Sequence, residues 1–148
     1  MSTQPDQVGQ TASHATSGNL VLTLLAAMGA CLVGAATWAG VTYIFLSKTG
    51  ALLIGLGSFI AAWIVGLAVR KVAGQVTRRE QAIAAGFSVL AAIGGIIGLM
   101  MLSTGKSLPV LFSEAERQAT YNTMFDFWQL VSWAIAGGCG WYFAQRNA

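Results

Sequence analysis

Charge is what this sequence has least of. Asp, Glu, Lys and Arg together make up 9% of its 148 residues, against roughly 25% in an ordinary soluble domain. One histidine, His14, and two cysteines leave no cluster with metal-ligand spacing, so no metal or cofactor is expected. There is no HExxH, no phosphate-binding glycine loop and no Ser/His/Asp set, so no catalytic residue is expected either. No Lys or Arg precedes the first apolar run, and that run exceeds a signal h-region, which argues against a secretory signal peptide. The first three apolar runs carry no ionisable side chain between their ends. That absence speaks against a proton-coupled exporter, which relies on an embedded carboxylate.

What the chain has instead is 55% apolar residues and 18 glycines, gathered into four runs at about 20–46, 51–72, 81–102 and 122–144. Some 20 helical residues at about 1.5 Å each cross the roughly 30 Å hydrocarbon layer. The expected fold is all-α: an integral membrane four-helix bundle of two antiparallel helical hairpins. A single transmembrane domain over 19–148 follows a polar tail, 1–18, that lacks the apolar area to order itself. The net charge of +3 rests on basic residues near run ends. They read as membrane anchors, so the bilayer and not nucleic acid is the expected partner. Cys31 and Cys139 fall inside runs and read as packing residues.

Start and stop signals place the boundaries. Ser47-Lys48-Thr49-Gly50 is a very short first link, in which Gly50 can supply unusual backbone angles. Gly74 is placed to end the second helix in the left-handed conformation, with Arg70 and Lys71 in its last turn. Thr77-Arg78-Arg79-Glu80 matches a capping box for the third helix. Ser113-Glu114-Ala115-Glu116 matches a second, from which one unbroken last helix is expected to run to about Ala144. Trp38, Tyr43 and Phe45 in the first run, and Trp141, Tyr142 and Phe143 in the last, suit an interface; Trp38 is deep enough for packing to be an equal reading. With both termini cytoplasmic, Arg70, Lys71, Arg78, Arg79 and Arg146 lie inside and Lys48, Lys106 and Arg117 outside, which satisfies the positive-inside rule. Arg70, Lys71, Arg78 and Arg79 then serve as topology anchors, with lipid headgroups as the alternative ligand.

Small residues at spacing four let helix backbones approach closely in lipid. Ala26, Ala30 and Gly34 form one such stripe; Ser58, Ala62 and Gly66 a second; Gly94 and Gly98 a third. The stripes serve either one chain or several copies. Asp126 is the ionisable residue set within a run, and at helical spacing it shares a face with Gln129 and Trp133, extended by Ser132. Asp126 and Gln129 form the candidate polar site, with a hydrated interfacial carboxylate as the simpler reading.

Gly34-Ala35-Ala36-Thr37-Trp38-Ala39, Ile54-Gly55-Leu56-Gly57 and Val65-Gly66-Leu67-Ala68-Val69-Arg70-Lys71 resemble a family of small uncharacterised bacterial inner-membrane proteins. That family has a Trp-Ala in one span and a Gly-x-Ala-Val-Arg ending the next, over about a third of this chain. It typically carries an acidic residue in its first hairpin, whereas Ser47-Lys48-Thr49-Gly50 has none. The resemblance implies a bacterial inner membrane and brings no activity with it. The expected function is therefore non-enzymatic: an accessory or assembly subunit acting through helix packing, with a homo-oligomer or other membrane subunits as partners. The alternative is a small oligomeric transporter or channel subunit with Asp126 and Gln129 near its outer mouth. A holin-like permeabilising protein fits the size but not the charge-poor tail.

Overall fold

The computed structural model describes residues 15–49, 53–74 and 76–145, all its regular elements being helices. They are α1 (Ala15–Thr49), α2 (Leu53–Ala73), α3 (Arg78–Thr104), α4 (Leu108–Leu111), α5 (Glu114–Met124) and α6 (Phe127–Gln145). Among the described residues, three stretches are long and apolar enough to cross a membrane: Leu20–Phe45, Leu56–Ala73 and Arg78–Thr104. The apolar character of α6 is diluted by Gln129, Ser132, three tryptophans and three glycines. The helix α1 begins at Ala15, a turn earlier than the expected boundary at residue 19. Gly50, His14 and Arg146 lie outside the described residues.

The stop and start between α2 and α3 follow the sequence signals closely. Gly74 sits at φ 68°, its N–H donating to the Arg70 carbonyl at 3.3 Å. Thr77 Oγ1 accepts from the Arg79 N–H at 3.3 Å, and Glu80 Oε2 accepts from the Thr77 N–H at 2.8 Å. Two of the donors orphaned at a helix start are thereby satisfied. Gly105, at φ 67°, ends α3 in the same left-handed way as Gly74 ends α2.

The last part of the chain departs from the expected single helix. A turn at Phe125 and Asp126 separates α5 from α6. The second capping box does not form: the Ser113 hydroxyl donates to the Val110 carbonyl at 2.7 Å, and Glu116 pairs with Lys106 at 2.6 Å. These side chains found partners in the preceding turn and loop, which a local motif cannot foresee. Thr120, buried, donates to the Leu111 carbonyl at 2.8 Å and ties α5 to α4.

Four long helices pack on one another, α1 against α2 and α3, and α6 against the other side of the same pair. Their direction follows from who meets whom. Gly34 faces Ala61 and Trp38 faces Gly57, so α1 and α2 are antiparallel. Gly94 and Gly98 face Ala35 and Ala39, so α3 runs parallel to α1. Gly140 faces Ala84 and Ser88 while Gly137 faces Val89, so α6 opposes α3.

The packing sorts side chains by size. Ala27, Ala61, Ala62, Ala84, Ala91, Ala92 and Ala136 are fully buried, whereas Leu22, Leu25, Leu32, Val33, Ile44, Phe59 and Trp63 face outward. Water would reject such a surface, and a soluble fold would bury those side chains first. Lipid is indifferent to them, so close contact between small residues decides which faces turn inward.

Candidate functional site

One of two clusters in the interior is built around Trp38, which is 0% exposed. Its indole lies in a slot between Gly57 of α2 and Gly95 of α3, and a β-carbon at either glycine would overlap the ring. Ile96, Ala39 and Met124 close the surrounding cluster, with Trp133 packed on its edge. Of the two roles open to Trp38 in the sequence, packing is the one observed. Nothing local marks Gly57 and Gly95 as its partners, because the slot needs two helices brought together by the fold.

All three small-residue stripes face neighbouring helices of the same chain. A β-carbon on Gly34 would sit 3.3 Å from the Ala61 Cα, and one on Gly66 would sit 2.6 Å from the Phe143 Cβ. Gly94 and Gly98 leave 3.2 and 3.0 Å to the Ala35 and Ala39 methyl groups. Ala30 and Ala62 are buried with them, and Ala26 is half-buried. Ser58 adds a polar contact: its hydroxyl shares a hydrogen bond with the buried Ser132 hydroxyl of α6.

Asp126 and Gln129 do not meet as one site. Asp126 is exposed and precedes α6, where a carboxylate oxygen accepts from the Trp128 N–H at 3.4 Å. Its backbone carbonyl accepts the first helical N–H groups, from Gln129 at 2.9 Å and Leu130 at 3.1 Å. That is an N-cap, a local role which suits aspartate. Gln129 is 8% exposed and points inward; its carbonyl oxygen, the Trp133 indole N–H and the Thr42 hydroxyl are buried without a hydrogen-bond partner among the described residues. After the break at Phe125, Asp126 is left exposed at the start of α6 while Gln129, three residues on, is buried.

Charge is divided unevenly between the two ends of the packed helices. At the end holding Gly74, the described residues include Arg70, Lys71, Arg78 and Arg79 against Glu80 alone. At the other end Lys48, Lys106 and Arg117 stand against Glu114, Glu116 and Asp126. Cys31 and Cys139 are free thiols on α1 and α6. Among the described residues no group of three metal-ligating side chains occurs. No family model, curated protein or solved structure matches the chain.

Proposed function

We propose that this chain is a non-enzymatic, multi-pass membrane protein that works as an accessory or assembly subunit through helix packing. In this reading α1, α2, α3 and α6 cross the bilayer as a four-helix bundle of two hairpins, with both termini cytoplasmic. The motif resemblance suggests a bacterial inner membrane. The observation that carries the reading is the character of the interior, in which Ala, Gly, Ser and Thr predominate, with Val65, Val69, Ile96, Leu111 and Met124 and the Trp38 slot among them, and which buries no charged side chain among the described residues. A core of this kind supports a rigid scaffold, and it lacks the embedded charges on which ion and proton pathways depend.

The stripes are occupied inside the chain, so a partner would use other small residues. Ala134 and Gly138 lie on the outward face of α6, and a β-carbon on Gly138 would meet nothing within 4 Å. Gly94→Ile is expected to disrupt the fold itself, while Gly138→Ile should leave it intact and release a partner or second copy retained in mild detergent. Recovery of the wild-type chain as a bare monomer under those conditions would remove the subunit reading. Reporter fusions at the two termini should report the same side of the membrane.

The transporter alternative retains one supporting observation, the buried and unpartnered Gln129 carbonyl beside the start of α6. Flux in proteoliposomes that Gln129→Leu abolishes would favour it over the subunit reading.

A further inference from the structure

At the arginine-rich end an open groove of about 480 Å³ is lined by Leu20 of α1 and by Thr77, Arg78, Arg79 and Glu80. Its height along the helices is informative. Leu20 opens the first apolar stretch and Arg78 opens the third, so the groove lies where hydrocarbon gives way to headgroups. One wall is aliphatic and continues along α1 through Leu24 and Met28, both exposed and each a helical turn further on. The opposite wall carries two exposed guanidinium groups.

The Arg78 cation is uncommitted among the described residues. Of the causes that hold the Glu80 carboxyl below its ordinary range, the Thr77 hydroxyl bond is the largest and the Arg79 charge the least. Lys106 and Glu116 form an ion pair elsewhere, and neither Arg78 nor Arg79 takes part in one among the described residues. Glu80, the adjacent carboxylate, is turned back onto the Thr77 hydroxyl and N–H. The Arg79 N–H and, in the capping box, the Glu80 N–H are engaged by Thr77, so an anion here would be held chiefly by side chains. Paired guanidinium forks match phosphate oxygens in geometry and charge.

We propose that this groove seats the headgroup of one anionic phospholipid, its phosphate on Arg78 and Arg79 and its acyl chain along Leu20, Leu24 and Met28. Arg70 and Lys71 at the same end raise the local positive potential without lining the groove. The inference rests on the membrane placement of the helices and not on the subunit reading. It is measured on the isolated chain, so either can fail alone.

The test titrates the full-length protein in a neutral detergent with dioleoyl phosphatidylglycerol, dioleoyl phosphatidylcholine or glycerol 3-phosphate. Bound species per chain are counted by native mass spectrometry. One phosphatidylglycerol should bind saturably, and R78Q/R79Q should weaken it about 30-fold, at roughly 1 kcal/mol for each basic side chain. K71Q, outside the groove, should change it less than about fivefold, the effect of one such charge. R78K/R79K, which keeps the charge and the fold but loses the planar forks, should bind more weakly than wild type. Equal binding of phosphatidylcholine would overturn the proposal, as would K71Q matching R78Q/R79Q or R78K/R79K matching wild type. Glycerol 3-phosphate binding as tightly as the lipid would make this a free-phosphate site and overturn the lipid assignment.

Discussion

The Trp38 indole occupies the volume that a β-carbon on Gly57 would require. Gly95 makes the same allowance from the other side, so three helices meet at one ring. In lipid the indole gains little from leaving the surrounding hydrocarbon, and the contact is held by shape and dispersion. The slot should therefore be sensitive to a single methyl group.

Gly57→Ala and Gly95→Ala should each destabilise the fold by about 1–3 kcal/mol through overpacking, despite the better helix propensity of alanine. Trp38→Leu should restore much of the loss in a double variant. Thermal unfolding in detergent, read as a double-mutant cycle, checks the coupling; strictly additive effects would contradict the slot.

Ser58→Ala should leave the Ser132 hydroxyl buried without its partner, at a loss of about 0.6–1.7 kcal/mol by the range measured between membrane helices. The double variant S58A/S132A should be closer to wild type, because neither hydroxyl then remains unmatched. The same unfolding measurement decides between these outcomes.

For Asp126, asparagine and alanine should behave differently. Asparagine caps a helix about as well as aspartate, while alanine loses roughly 0.5–2 kcal/mol. Hydrogen exchange at the first turn of α6 should rise in D126A and stay near wild type in D126N. A loss of flux in D126N, if the chain transports anything, would show a role that capping does not explain.

The connection between α3 and α6 offers a contrast between surface and buried contacts. Lys106→Met breaks an ion pair whose two side chains are 38% and 36% exposed, and should cost under about 1 kcal/mol. Thr120→Val removes the partner of the Leu111 carbonyl and should cost more, up to about 3 kcal/mol if the carbonyl stays buried. Limited proteolysis between Gly105 and Asp126 should accelerate in T120V and hardly change in K106M.

What was legible in the sequence was whatever physics acts locally. Gly74 and the Thr77–Glu80 box follow from backbone angles and nearest-turn hydrogen bonds, and both stand where the residues place them. The small-residue stripes were readable as packing faces, since spacing four fixes a face on any helix. Their destinations were not, because Gly34 has no local preference between Ala61 of the same chain and a residue of another. The continuity of the last helix failed for a related reason. No proline or glycine marks Phe125–Asp126, and the turn depends on contacts such as Thr120 with Leu111 and Met124 beside Trp38. Gln129 was legible as polar but not as buried, since the break upstream sets which way its face turns.

The slot for Trp38 also has a history during biosynthesis. Chains emerge from the ribosome amino end first, so the indole enters its surroundings before either glycine that will receive it has emerged. Gly57 follows with α2 and Gly95 only with α3. Until then the ring must lodge elsewhere, and α1, although made first, reaches its final seat only once α3 is there to receive it.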